Sequence, residues 1–319
     1  MVVEPISMRD IVEAQLRIKN AAIRTPLVRL NMDDAAAEIY LKLENLQPIG
    51  SFKIRGAANA MRKVDRGDLE QGVWTASAGN MAQGVAWCAR QFGVPCTVVV
   101  PDDAPEAKLA AMQRLGASFV KVPFTEWYQV VETHIFEGMK GVFVHPVSDP
   151  AVIAGNGTIG LEILDDLPDV DTIVMPFGGG GLSCGVASAV RSRKPETKLY
   201  ACELDIASPL KAAFEAGEPV RIENTRSFVD GMGSPAVLPE MWDLVYQLLD
   251  GSLITTAKET ASALKLMAER NHIISEGAGA APVATALAGK AGTGKVVCII
   301  SGGNIDTEKV IKIIKGNVP

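Results

Sequence analysis

Lys53 in "NLQPIGSFKIRG" (45–56) follows Gly50, Ser51 and the apolar ring of Phe52, and the residues beyond it read as a helix. Burial beside an aromatic ring would favour the neutral, nucleophilic form of an amine, so this motif reads either as a lysine placed for chemistry or as an exposed lysine opening a helix. A second candidate is "GGGG", Gly178 to Gly181, between the strand-like "DTIVMPF" and a helix from Leu182. Bare Cα atoms let a backbone approach an anion closely, and the following helix presents its positive end. Two further strand ends, "VWTASAGN" and "VVCIISGGN", also pass from an apolar run into small residues and glycine. In open α/β sheets ligands bind at the carboxyl ends of the strands, where such loops offer backbone N–H groups to a phosphate.

Nucleotide phosphates fit this pattern poorly. A Walker loop needs G-K-[ST], and no lysine follows the glycines. A dinucleotide fingerprint needs G-x-G-x-x-G, yet the last position falls on Ser183 counted from Gly178 and on Cys184 counted from Gly179. A nucleotide-dependent oxidoreductase is therefore the remote alternative, although Glu203 ends the next strand where a ribose-binding acid would stand. A single phosphate together with a special lysine points to pyridoxal phosphate. Its aldehyde condenses with a lysine amine as a Schiff base while its phosphate is held at a distance.

The elements that must position these residues alternate along the chain. "VWTA" leads into "NMAQGVAWCARQFG", a helix ended by Gly93. "CTVVVP" leads into "PEAKLAAMQRLG", with Pro105 suited to a first turn and Gly116 to a C-cap. "SFVKV" precedes a helix through Val130, and "GVFVH" one from about Ala151 to Leu164; "DTIVMPF", "KLYACE" and "KVVCIIS" follow. Runs apolar on both faces read as buried parallel strands, and the alternation predicts a doubly wound α/β fold. The 319 residues suffice for two lobes.

A net charge of −6 without a basic run argues against nucleic acid or anionic membrane as partners. "MVVEPISMRDIVEAQ" carries acids where a signal peptide needs an apolar core, and no later stretch approaches a membrane span, so a cytoplasmic location is expected. Five scattered cysteines form no C-x-x-C pair and read as buried free thiols, Cys184 being nearest a candidate loop. His134, His145 and His272 show no metal-ligand spacing.

Taken together, "RTPLVRL" (24–30), "YLKLENLQPIGSFKIRGAANA" (40–60), "TASAGNMAQGVAWCARQFGVPCTVVVP" (75–101), "HPVSDPAVIAGNGTIGLEIL" (145–164), "VMPFGGGGLSCGVA" (174–187) and "IISGGNID" (299–306) resemble the fold-type II pyridoxal-phosphate enzymes. The resemblance is to the serine/threonine dehydratase and serine racemase group and runs through nearly the whole chain in the family's order. It implies a tryptophan-synthase β-like architecture of two doubly wound open-sheet lobes: a large cofactor-binding domain of residues 1–65 plus 146–319 and a small domain of 66–145. It also implies a homodimer or higher homo-oligomer acting on an amino acid.

By that resemblance Lys53 carries the cofactor, packs near Phe52, and later removes the substrate Cα proton. Asn80 meets the ring oxygen, Gly178, Gly179, Gly180, Gly181 and Leu182 surround the phosphate, and Ser301 meets the pyridine nitrogen. Gly231 and Glu276 match family positions beside the cofactor. Ser77, Ala78, Gly79, Asn80 and Met81 form the substrate loop. Racemases of the group carry a second serine where this chain has Ala78. With a base on one face only, elimination of water from a 3-hydroxy amino acid such as threonine, serine or phenylserine is favoured, giving a 2-oxo acid and ammonia. The alternative is a racemase or another β-elimination or replacement lyase of the same fold.

Three positions depart from the pattern. Met81 replaces the usual histidine, which predicts a more apolar pocket and a bulkier β-substituent, or else a simple gap-filler. Val147 replaces a larger or polar residue near the cofactor. Glu203 and the Ala207 carbonyl match the group's cation site, but Pro209 stands where magnesium-activated relatives have an aspartate. A monovalent or divalent cation is thus only a possible addition. The chain runs only a few residues past its last helical pattern, so no appended regulatory domain, and hence a catabolic role, is expected.

Overall fold

The computed structural model describes residues 2–104, 106–225 and 227–319; the first-turn reading of Pro105 lies outside the described residues. The chain opens with α1 (Met8–Ile18), β1 (Leu27–Arg29), β2 (Glu38–Lys42), α2 (Lys53–Lys63) and α3 (Arg66–Glu70). Next come β3 (Val73–Ala76), α4 (Asn80–Phe92), β4 (Cys96–Pro101), α5 (Glu106–Arg114), β5 (Ser118–Val122), α6 (Phe124–Thr133) and β6 (Val142–Phe143). Then follow α7 (Pro150–Asp166), β7 (Thr172–Pro176), α8 (Gly181–Arg193), β8 (Lys198–Leu204), α9 (Pro209–Ala216) and α10 (Pro239–Leu248). The last elements are β9 (Gly251–Thr255), α11 (Ala257–Asn271), α12 (Gly277–Leu287), β10 (Lys295–Ile299) and α13 (Thr307–Ile314).

Two sheets result. One has the order β1-β2-β10-β7-β8-β9, the other β5-β4-β3-β6. All pairings are parallel except that of β1 with β2. The strands of the four-stranded sheet all come from 73–143, inserted between β2 and β7 of the larger sheet. Central strands are buried along their whole length, as in β3 and β7, which is why their sequences are continuous apolar runs rather than alternating ones. "GVFVH" contributes only the two-residue strand β6 at a sheet edge.

The helices that carry the candidate residues are packed unusually close to one another. A Cβ added to Gly155 of α7 would lie 2.4 Å from the Arg55 carbonyl oxygen of α2, and one added to Gly185 of α8 would lie 2.4 Å from that of Ile153. Small residues here let α2, α7 and α8 touch backbone to backbone, a contact that larger side chains would forbid. Four buried charges reinforce it. Arg55 binds Glu44 at 2.8 Å and Glu162 at 2.7 Å, and Lys42 binds Glu162 at 2.7 Å. Thus β2, the segment after it, α2 and α7 are tied together just beyond Lys53.

Candidate active site

Lys53 is the first residue of α2, and Phe52 is its N-cap. The preceding turn is zipped to the end of β10. Phe52 N–H donates to the Ser301 carbonyl at 3.0 Å, and Gly303 N–H donates to the Gly50 carbonyl at 2.8 Å. Gly50 has φ +71°, a conformation that favours glycine, and an added Cβ would meet the Asn304 side chain at 2.8 Å. The turn therefore has one direction available, and it sends Lys53 Nζ to the Pro146 carbonyl at 2.7 Å, over the Phe52 ring at 5.2 Å from its centroid. Burial lowers the amine to a pKa of about 8, with Glu276 offsetting part of the effect.

The glycine run sits after β7, with Gly180 at φ +97° and α8 starting at Gly181, one residue earlier than the sequence pattern indicates. No side chain caps α8. Among the described residues the amides from Gly178 to Ser183 donate to no protein acceptor, so they remain available to an anion. A Cβ on Gly179 would fall 2.7 Å from Val147 Cγ2, and one on Gly181 would fall 2.7 Å from the Val147 carbonyl oxygen. The cradle is thus pressed against the 145–148 segment, and Val147 packs on the loop itself.

Asn80 opens α4. Its side-chain N–H groups donate to both oxygens of Glu276, at 2.9 and 3.1 Å, while its carbonyl oxygen accepts from Asn304 Nδ2 at 2.8 Å. Asn304 also donates its backbone N–H to Glu276 and its Nδ2 to the Ile49 carbonyl. Burial raises Glu276 to a pKa of about 7; the Asn80 hydrogen bonds hold it back and Asp230 adds to the rise. Asn304 escaped the sequence reading because "SGGN" reads as turn chemistry; its only signal was its place three residues after Ser301. A Cβ on Gly231 would lie 2.9 Å from Ala278 and 3.5 Å from Glu276 Oε1, which sets that loop against the same carboxylate.

Ser77, Ala78, Gly79 and Asn80 are half-exposed, and Gly79 N–H donates to Ser77 Oγ at 3.2 Å. A side chain on Gly79 would meet nothing within 4 Å, so open space lies before the start of α4. Met81 behaves differently. It is 1 % exposed and belongs to the core cluster with Ile49, Ile54, Ala57 and Val85, where it fills a gap between helices. Cys184 is fully buried with its thiol pushed up by burial, so it is inert; all five cysteines are free and buried.

At the cation position the carboxylate is engaged by hydrogen bonds within the protein. Glu203 accepts from the backbone N–H groups of Leu210 at 2.8 Å and Lys211 at 2.9 Å, and from Ser252 Oγ at 2.6 Å. Both carboxylate oxygens thus serve the start of α9, and the Pro209 side chain brings no oxygen to replace them.

The remaining residues do fit a cofactor with an anionic tail and an amine-reactive end. They supply unpaired amides around Gly178–Ser183, a half-buried amine of depressed pKa, and buried hydroxyls without partners at Ser51 and Ser183. A family model described as pyridoxal-phosphate dependent enzyme matches residues 18–302. An L-threonine ammonia-lyase of Thermotoga maritima is 41 % identical over 314 residues, covering 97 % of this chain and 78 % of that one. The catabolic L-threonine dehydratase of Escherichia coli is 36 % identical, covering 97 % and 96 %. Maize serine racemase superposes with a TM-score of 0.90 at 30 % identity, covering 98 % of both chains. The chain belongs to the pyridoxal-phosphate-dependent enzymes, in their fold-type II architecture.

Proposed function

We propose that the protein is a hydroxy-amino-acid dehydratase that eliminates water from threonine or serine, yielding a 2-oxo acid and ammonia. One observation carries the reading. The site has a single half-buried amine poised to move a proton, Lys53 at a pKa of about 8, and the loop position that holds a second acid/base serine in racemases is Ala78. A methyl group has no proton to give, so a Cα proton taken at Lys53 Nζ has no partner donor at position 78, and loss of the β-hydroxyl competes well. Pyridoxal phosphate, when bound, supplies an aldehyde for amine capture and a ring that withdraws electrons from the adjacent carbon.

The chain's own groups divide the remaining work. The amides of Gly178 to Gly181 and Leu182 would hold the phosphate. Ser301 would face the ring nitrogen, where a hydroxyl supports less positive charge than a carboxylate would. Asn80, backed by Glu276, would face the ring oxygen, and Gly231 would line the same wall. The amides before α4, with Ser77, would bind the substrate carboxylate in the open space beside Gly79. Since Met81 is taken up by the core, no side chain of this loop argues for an aryl β-substituent, and small substrates are favoured. Residues 66–145 would form a small lobe closing on the rest and excluding water. A homodimer in the cytoplasm completes the reading; no described helix is long and apolar enough to cross a membrane.

The test is a panel of threonine, serine and phenylserine assayed for ammonia and 2-oxo acid, with chiral analysis of the remaining substrate. The expected result is keto-acid release fastest from threonine or serine. Racemised substrate without keto acid would overturn the reading in favour of a racemase. Borohydride treatment and peptide mapping should place the cofactor on Lys53.

A further inference from the structure

His145 is 3 % exposed and takes no part in the chemistry above. Both of its ring nitrogens are nevertheless engaged. Nδ1 accepts from the backbone N–H groups of Ser148 at 2.7 Å and Val147 at 3.2 Å, and from Ser148 Oγ at 2.8 Å. Two amide donors on Nδ1 leave no room for a proton there, so the ring hydrogen sits on Nε2 and is donated to the Val131 carbonyl of α6 at 3.0 Å. Burial, with His134 stacked on the ring at 4.2 Å, lowers His145 to a pKa of about 3. His134, His145 and Glu240 bring their possible ligand atoms within 4.8 Å of one another, yet this is not a metal site, because His145 has no lone pair left to give.

The four residues folded by this ring, 145–148, touch both halves of the cofactor site. The Pro146 carbonyl accepts from Lys53 Nζ at 2.7 Å. The Val147 side chain and carbonyl crowd Gly179 and Gly181. We propose that His145 is a positioning residue: its neutral ring folds the 145–148 turn so that Pro146 fixes the Lys53 amine while Val147 braces the glycine cradle. The acceptor at Nδ1 is the essential part. Without it the Val147 and Ser148 amides are buried and unpaired, and the turn must rearrange to satisfy them, displacing the Pro146 carbonyl.

This rests on the reading that Lys53 is the reactive amine, and the test separates the two. An asparagine at 145 offers its carbonyl oxygen near the Nδ1 position, whereas a glutamine reaches the Nε2 position and abandons the turn. In the full-length chain stripped of cofactor, the pH midpoint of amine labelling at Lys53 is read by mass spectrometry, and cofactor retention is read by equilibrium dialysis. The charged group facing that amine, Glu276, is left intact in both variants. H145N should keep the wild-type midpoint near 8 and wild-type retention. H145Q should lower the midpoint by about one pH unit, because the carbonyl that favours the ammonium is gone, and should retain the cofactor about tenfold less well. Should H145Q not fold, H145A serves in its place with the same expectation. A folded H145Q or H145A with wild-type values, or equal shifts in H145N and H145Q, would overturn the proposal. If borohydride mapping of wild-type holoenzyme fails to place cofactor on Lys53, the reading of the reactive amine falls instead, whatever the labelling shows.

Discussion

Lys53 and Arg55 stand two residues apart at the start of α2, and the fold treats their charges in opposite ways. Around Arg55 every charge has a partner: Glu44 and Glu162 flank it, Lys42 answers Glu162, and Thr25 and Gln47 occupy the remaining Glu44 lone pairs. Burial would push Arg55 down, but the two glutamates outweigh it and raise it; burial would push Glu44 up, but Arg55 outweighs it and Glu44 ends below the usual range. Lys53 has a backbone carbonyl and a glutamate that forms no ion pair with it, and burial wins, leaving it near 8. Full pairing fixes a helix in place. Under-pairing leaves an amine that can exchange its proton near neutrality.

Substitutions at the two positions should therefore change stability with opposite sign. Arg55→Met leaves Glu44 and Glu162 buried with too little positive charge and should cost ~3–5 kcal/mol of unfolding free energy. Lys53→Met should abolish turnover, by on the order of 10²–10⁴-fold or more, yet stabilise the cofactor-free protein at pH 7 by about 2 kcal/mol. The sign follows from the depressed pKa. Below about 8 both folded and unfolded chains carry the ammonium, and only the folded one is penalised. Between 8 and 10.5 the unfolded chain binds more protons, so wild-type stability rises with pH and the advantage of the variant fades. Denaturant melts of both variants at pH 7 and pH 10 check this; a destabilised Lys53→Met at pH 7 would break the comparison.

Glu276 sharpens the same contrast from the acid side. Its pKa is raised from 4.5 to about 7, so the stability it contributes is fully present below 4.5 and is lost as pH rises through 7. Glu276→Gln keeps an acceptor for Asn80 without the buried charge. It should match wild type at pH 4.5 and become more stable by about 2 kcal/mol at pH 8. Thermal melts across that range read the difference, and parallel curves would refute it. Asn304→Ala, which releases Asn80 and removes one anchor of the Ile49 carbonyl, should lower kcat about fivefold, the worth of one net hydrogen bond. Its effect on KM should be small, since Asn304 meets the substrate loop only at Asn80, the residue assigned to the cofactor's ring oxygen.

What the sequence disclosed follows the same division. Lys53, the glycine run and the central strands were legible because each is a local rule: a lysine after a Gly-Ser turn, consecutive glycines after a strand, and unbroken apolar runs in β4, β7 and β10. Elements whose identity depends on distant partners were not. The strand β9 was missed because it is only half-buried at the sheet edge beside β8. The partners of Arg55 lie 11 and 107 residues away, and those of Asn80 lie 196 and 224 residues away, so no window of sequence contains either network. His145 has no signal at all, since a lone histidine before proline does not reveal that two amides will fold onto its ring.

Glu203 tests how far pairing alone explains a buried charge. Between Arg55 and Glu44 a carboxylate is quiet because a cation answers it. At Glu203 the answer comes from α9 and β9: two backbone amides of the helix and the Ser252 hydroxyl of the strand take both oxygens. Burial still raises Glu203, with those hydrogen bonds only partly offsetting it, so the helix start is a weaker partner than Arg55 is to Glu44. The smallest effects should arise here. Glu203→Gln should cost about 1 kcal/mol, as loss of a capping acceptor does. Chelation should leave the melting temperature and turnover of wild type unchanged, and added magnesium or potassium should not raise them. An ion that bound only the folded chain would lift the melting temperature steadily with its concentration. Such a rise, absent in Glu203→Gln, would mean that the carboxylate turns from the helix to the ion and that a hydrogen-bonded cap is too weak to hold it.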